Sequence, residues 1–304
     1  MRKGPDYIQF YPTLRCNRSC EFCFNRSMTA VQDMLPDSFN AMIAALKGAS
    51  VRNIDIIGGE PTLHSNIIDF INAAVRSGFS VNVSSNGTNL AALEKIMAIG
   101  EKAIVGISIN DRETLKQSSE FIRLHKPVVK TVFTDDLDAD MVQTILSLKP
   151  RKFYLIYRDA TGPGDLNNTV PFYRFTSAVQ QSYDPPEVGT VYCSGFLPDV
   201  ENDPELARVR CPAGTTKLGV MPDGAVYPCN LFFCRKEFFL GNILQDTFES
   251  IWNHHALSFF RTSQENACKQ LSCRIHTQCH GGCPAQALHI CGDVEAPDPR
   301  CNNY

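Results

Sequence analysis

The chain has 304 residues, 43% of them hydrophobic and 20% charged, with a net charge of −3. That is long enough for one large domain with an appendage, or for two domains. The charge balance predicts no nucleic-acid surface, no run of 18 apolar residues predicts a membrane span, and MRKGPDYIQF lacks the apolar core of an export signal, so a cytoplasmic protein is expected.

In chain order, YIQFYPT (7–13) reads as a buried strand and DSFNAMIAALKGA (37–49) as a helix behind an Asp cap. NIDIIGGEPT is a strand ending in Gly58–Gly59, SNIIDFINAAVRSG a capped helix with a Gly stop, SVNVSSNGT a strand and NLAALEKIMAIG a helix. Strand AIVGISIN (103–110), helix DRETLKQSSEFIRLH (111–125), strand PVVKTVFTDD, helix ADMVQTILSLK and strand KFYLIYRD (152–159) follow. Six strands alternating with five helices predict right-handed crossovers and a parallel sheet. The expected fold is α/β: a partial (β/α)6 TIM-like barrel over 1–160, with a flat doubly wound sheet as its rival. Gly, Pro and Asp enrich 161–210, a bridging region. A small cysteine-rich domain of hairpin and loops is expected over 211–304, with one clear helical piece, TFESIWNHHALSFFR.

Thirteen cysteines are many for a chain of this length. Three, Cys16, Cys20 and Cys23, lie behind the first strand, and ten fall between Cys193 and Cys301. In a reducing cytosol such clusters bind metal more often than they form disulfides. Structural zinc wants four ligands, and no partner pair follows the first three before Cys193. Three thiolates in eight residues can instead hold three irons of a cubane, leaving the fourth open. Zinc, or a set of buried thiols, is the plainer alternative. In a β/α barrel, chemistry sits at the carboxyl ends of the strands. GGEP (58–61), SSNGT (84–88) and SIND (108–111) fall there beside the cysteine loop.

Cys-x3-Cys-x2-Cys behind strand one, Phe22 before its third Cys, and GGEP at strand two together resemble the radical S-adenosylmethionine (radical SAM) superfamily. The resemblance implies that Cys16, Cys20 and Cys23 hold a [4Fe–4S] cluster whose open iron is chelated by SAM. One electron then cleaves the sulfonium, and a 5′-deoxyadenosyl radical removes a hydrogen atom from substrate. It further implies that Gly58, Gly59 and Glu60 receive the SAM ammonium, with Glu60 as countercharge. Phe22 would pack near the adenine, and Asn86, Ser108 and Asn110 join the cofactor-binding set. The family usually has Asp where Asn110 stands, and a downstream Arg for the SAM carboxylate; Arg112 and Arg123 are the candidates.

The tail holds CPAGTTKLGVMPDGAVYPC (211–229), with Asp223–Gly224 as a hairpin turn, and CKQLSCRIHTQCHGGC (268–283). It resembles a SPASM domain, the auxiliary-cluster extension of many radical SAM enzymes. That resemblance assigns Cys211, Cys229 and Cys283 to one [4Fe–4S] cluster, and Cys268, Cys273, Cys279 and Cys301 to a second. Cys268 and Cys273 have four residues between them where the family usually has two. In the family the fourth ligand of the first often lies a few residues before the position of Cys211, where Glu205 stands here; Cys193, eighteen residues upstream of Cys211, is the candidate, and without it a substrate thiolate would have an open iron. Cys234 and Cys291 fit no slot, and His276, His280 and His289 read as neighbours of ligands. A pair of zinc ribbons is the plain alternative.

The resemblance implies an oxidative maturase acting on a peptide or protein side chain, by thioether or carbon–carbon cross-linking or similar chemistry. Implied partners are a peptide or small-molecule substrate, an electron donor such as flavodoxin or ferredoxin, and a separate peptide-recognition protein or a binding segment within 160–210. Two alternatives stand beside it. GGCPAQALHICGDVEAPDPRC resembles enzymes that trim tetrapyrrole side chains, and a non-enzymatic iron–sulfur electron carrier is the other. Acid–base candidates at strand ends are Tyr157, Asp159 and Asp135.

Overall fold

The computed structural model describes residues 4–28, 31–49, 51–182, 188–191, 206, 209–262, 268–273 and 275–301. Seven strands lie parallel, each beside the next in sequence: Tyr7–Phe10 (β1), Asn53–Ile56 (β2), Ser80–Ser85 (β3), Ala103–Ser108 (β4), Val128–Phe133 (β5), Lys152–Tyr157 (β6) and Val188–Val191 (β7). Between them run Pro36–Lys47 (α1), Ile67–Arg76 (α2), Leu90–Met97 (α3), Arg112–His125 (α4), Ala139–Ser147 (α5) and Phe172–Ser182 (α6).

Local chemistry starts these helices. The side chains of Asn89, Asp111 and Asp138 accept from the backbone N–H groups of Ala92, Thr114 and Met141, satisfying donors that the first turn leaves orphaned. The buried stripe of α2, Ile67, Phe70, Ile71 and Ala74, packs on the sheet. The rings of Phe39 and Phe70 stack at 4.0 Å between α1 and α2.

Three features differ from the sequence expectation. The bridge is not merely a connection: it contributes α6 and a seventh parallel strand, β7, paired to β6. The tail hairpin, Lys217–Val220 (β8) and Ala225–Tyr227 (β9), does not stand apart either. β8 pairs in parallel with β1, so one sheet runs β10-β9-β8-β1-β2-β3-β4-β5-β6-β7, where β10 is Gly241–Asn242. Asp223–Gly224 makes the expected turn, with Gly224 at φ +84°. Third, the single helical piece after β10 is broken into Phe248–Trp252 (α7) and Ser258–Arg261 (α8). His254 between them is extended, with Nδ1 accepting from Ala256 N, and Arg261 folds back over the Trp252 ring at 4.1 Å. His276–Cys279 (α9) and Pro284–Cys291 (α10) complete the tail. Among the described residues no helix is long and apolar enough to cross a membrane.

Candidate active site

The cysteine loop leaves β1 and is tied down on three sides. Thr13 O accepts from Gly59 N at 3.0 Å and Arg15 O from Glu60 N at 2.8 Å, fastening the loop to the turn after β2. Gly58 lies at φ +125°, and a Cβ on Gly59 would fall 2.0 Å from Arg15 O, so only glycine admits this approach. Asn17 joins the turn after β3: its Oδ1 accepts from Asn86 Nδ2 at 2.8 Å and its Nδ2 donates to Thr88 Oγ1 at 3.0 Å. Arg18 reaches the start of α4, donating to Thr114 Oγ1 at 2.8 Å and to Asp111 at 3.5 Å.

This scaffold leaves Cys16 exposed and Cys20 and Cys23 half-buried, with Phe22 half-buried between them. Burial pushes both the Cys20 and Cys23 thiols up, and the charge of neighbouring thiols raises them further. With their ionisation disfavoured in this way, Cys20 and Cys23 need a nearby cation to become thiolates. Among the described residues no three His, Cys, Asp or Glu side chains converge as tightly as one bound ion requires.

Glu60 ties two turns of this rim together. The side chain is fully buried, and its Oε1 accepts from Thr62 N, Thr62 Oγ1 and Ser85 Oγ, its Oε2 from Asn86 N at 2.7 Å. The carboxylate joins the turns after β2 and β3. Asn86 lies at the cysteine loop, its Nδ2 3.9 Å from Cys16 Sγ. Asn110 is also committed to the scaffold, with Oδ1 accepting from Val132 N at 2.8 Å. Ser108 is half-buried, in register with Lys130 on β5. Arg112 is exposed and paired to Asp138, and Arg123 is exposed.

Below the rim the sheet curls around a cavity of 790 Å³ lined by residues from β1 to β6 and by the tail. Tyr7, Gln9, Asp55, Asn82, Ser84 and Lys130 face it. Sequence reading missed this polar lumen, although its signal was present. Strands covered on both faces are near-continuously apolar, whereas YIQF, NIDI and SVNVSS alternate at period two, with the apolar partner buried.

Cys211, Cys229 and Cys283 line the same cavity. The tail is clamped there by two buried arginines. Arg210 donates five hydrogen bonds to the carbonyls of Gly281, Gly282, Val294, Glu295 and Ala296. Arg300 donates to Asp298, to Asp159 at 2.8 Å and to the Arg158 carbonyl, with its guanidinium 4.9 Å from the Tyr157 ring centre. Asp298 also accepts from Cys283 N at 3.0 Å. Cys279 is buried within range of the Cys301 charge, and burial pushes its thiol up to about 12, so a thiolate there needs a cation. Cys268 and Cys273 are half-buried on the preceding loop, where the Cys268 carbonyl accepts from His276 Nε2 at 2.8 Å. His289 is likewise occupied, Nε2 donating to Leu231 O at 2.7 Å and Nδ1 accepting from Arg235. Cys234 and Cys291 are exposed. Cys193 and Glu205 lie outside the described residues.

The acid–base candidates separate. Tyr157 is buried, its hydroxyl 2.8 Å from Val170 O and 3.2 Å from Arg300 O, and burial raises it far above the ordinary range. Asp159 lines the cavity; burial raises it against the opposing charge of Arg300. Asp135 is exposed in an ion pair with Arg174, outside the lumen-lining set.

Residues 10–128 match the sequence pattern of the Radical SAM superfamily, and residues 211–283 that of the SPASM iron-sulfur cluster-binding domain. The chain belongs to the radical SAM superfamily. This radical SAM enzyme carries a SPASM domain, and its cofactors are SAM and [4Fe–4S] clusters. It is 25% identical to the antilisterial bacteriocin subtilosin biosynthesis protein AlbA of Bacillus subtilis, over 94% of this chain and 68% of that protein. It is 25% identical to the mycofactocin maturase MftC of Mycolicibacterium smegmatis, over 98% and 83%. A PqqA peptide cyclase of Rhizobium meliloti is 20% identical over 95% and 84%. Among solved structures, Streptococcus suis SuiB bound to SAM shares the fold, with a TM-score of 0.74 at 17% identity, over 99% of this chain and 78% of that one. The donor chemistry fits the clusters. Soft thiolates are iron–sulfur ligands, and the radical SAM loop offers three of them on one rigid turn.

Proposed function

We propose that this enzyme oxidatively modifies a side chain of a peptide or protein, forming a thioether, a carbon–carbon cross-link or a similar bond. The observation that carries the reading is the shared cavity: the barrel lumen and the thiols of Cys211, Cys229 and Cys283 open onto the same space. Relatives named for bacteriocin biosynthesis and peptide cyclisation support the substrate class.

In this reading Cys16, Cys20 and Cys23 hold the cluster at the SAM site. When bound, SAM and that cluster supply a 5′-deoxyadenosyl radical that takes a hydrogen atom from substrate. Arg18, Asn17 and the Gly58–Gly59 turn fix the loop's position, and Phe22, Asn86 and Ser108 border the cofactor. Closing the new bond sheds one further electron and one proton. Cys211, Cys229 and Cys283, with Cys193 as the fourth candidate, would hold an auxiliary cluster, which would supply an acceptor for one electron; Cys268, Cys273, Cys279 and Cys301 would hold a second. The lumen walls orient the substrate and exclude water. The initial electron comes from a flavodoxin or ferredoxin in a reducing cytoplasm, and a separate recognition protein or the 161–210 region delivers the peptide.

The test is co-expression with a candidate peptide, followed by mass spectrometry. Loss of two hydrogen atoms from the peptide is expected. An unchanged mass, with clusters loaded and 5′-deoxyadenosine released, would overturn the substrate class.

A further inference from the structure

The lumen holds a cation that neither set of thiols accounts for. Lys130, midway along β5, sends its ammonium into the cavity, where Nζ donates to Ser84 Oγ at 2.6 Å. β4 makes room for it: a Cβ on Gly106 would lie 3.1 Å from Lys130 Cε and 3.3 Å from Nζ. Among the described residues the ion pairs leave Lys130 without a carboxylate in salt-bridge range; Asp55 feels its charge from farther off and accepts instead from Asn82 at 2.6 Å. Four cations line the cavity, Lys130, Arg151, Lys152 and Lys217, against the carboxylates of Asp55 and Asp159, and Arg300 already holds Asp159. The lumen is polar, partly shut from water and richer in positive than negative groups.

We propose that Lys130 and Ser84 form a seat for a carboxylate of the substrate, an Asp or Glu side chain of the peptide, inside the barrel and facing the tail thiols. The class of molecule rests on the peptide reading above; the seat itself rests on the lumen. The Ser84 hydroxyl accepts from Lys130 and so turns its own hydrogen outward, toward the incoming oxygen. The Lys130 ammonium supplies the charge and two further N–H donors. Burial lowers the proton affinity of Lys130, so ammonium and carboxylate stabilise each other's charged forms. An amide of the same shape leaves the ammonium uncompensated. SAM also carries a carboxylate. The position favours the substrate, because Cys16, Cys20 and Cys23 are not among the described residues lining this cavity, whereas Cys211, Cys229 and Cys283 are.

The probes are N-acetyl-glutamate amide and N-acetyl-glutamine amide, titrated by saturation-transfer NMR into the reconstituted full-length enzyme. SAM affinity is measured alongside by equilibrium dialysis. We expect the glutamate probe to bind about tenfold tighter, Lys130→Met to erase that preference with SAM affinity unchanged, and Lys130→Arg to retain most of it. Should the Met variant fail to fold, Lys130→Gln keeps a donor to Ser84 and gives the same readout. Equal binding of the two probes, or a preference that survives loss of the charge, overturns the seat. A Lys130→Met enzyme that loses SAM affinity while keeping the glutamate preference assigns the cation to SAM and overturns it too. The two readings fail separately. If only the peptide reading is wrong, the glutamate preference persists while no peptide changes mass. If only the seat is wrong, peptides are modified equally after their acidic residues are changed to amides.

Discussion

One carboxylate, Glu60, receives hydrogen bonds from two turns and from both the backbone and side chain of Thr62. Glu60→Gln would set an amide NH2 against these donors, most directly the Asn86 N–H. We expect a loss of about 1–3 kcal/mol, read as a lower denaturant midpoint. The sequence marks GGEP as special, but its letters do not announce the turn clamp, which shows only in the burial of Glu60 and the four donors around it. Arg18 allows a pH test. Burial pushes the Asp111 carboxyl up, but hydrogen bonds from Thr114 and the charge of Arg18 outweigh it and hold the group below its ordinary range. A carboxylate held low adds stability above its unfolded value, lost as pH falls through the folded one. Asp111→Asn should therefore destabilise at neutral pH, and progressively less below about pH 4, in urea titrations across pH. At the cysteines, Cys16→Ala, Cys20→Ala or Cys23→Ala should each abolish 5′-deoxyadenosine release; turnover in any of them would contradict the assignment.

Among elements, the turn after β2 and the cysteine loop depend on each other. In Gly59→Ala the added methyl collides with Arg15 O, so the loop must shift. We expect barrel circular dichroism to persist while cluster absorbance falls, and normal absorbance would show that the approach is not needed. The first six strands and five helices were legible because period-two and helical patterns, Asp or Asn caps and Gly stops agree locally. β7 and α6 were not, because Gly, Pro and Asp crowd both flanks of α6 and β7 is only four residues long with a glycine inside it. The break between α7 and α8 was hidden as well. It is set by His254 capping Ala256 and by Arg261 folding onto Trp252, contacts that no run of letters announces.

At the level of the whole molecule, Arg300 joins tail to barrel through Asp298, Asp159 and the β6 terminus. Arg300→Met leaves the fully buried Asp298 without its cation. About 3–5 kcal/mol should be lost, together with tail order measured by hydrogen exchange. Anaerobically reconstituted protein should hold about 8–12 iron atoms per chain, and Cys279→Ala should spare SAM cleavage while stopping product formation. The two cysteine groups were readable at a distance, since spacing and Gly turns are local. The lumen that connects them was not, because it arises only when six strand faces curl together.

The pairing of β1 with β8 has a consequence for biogenesis. Tyr7 finds its neighbour Lys217 about 210 residues later, so at 5–20 residues per second roughly 10–40 s of translation separate them. Through that interval one flank of the first strand has no neighbour, an open edge prone to pairing with the wrong chain. The contacts that shape the amino-terminal cysteine loop, by contrast, all lie within residues 13–114, so that loop can take its form before the strand's second neighbour has been made.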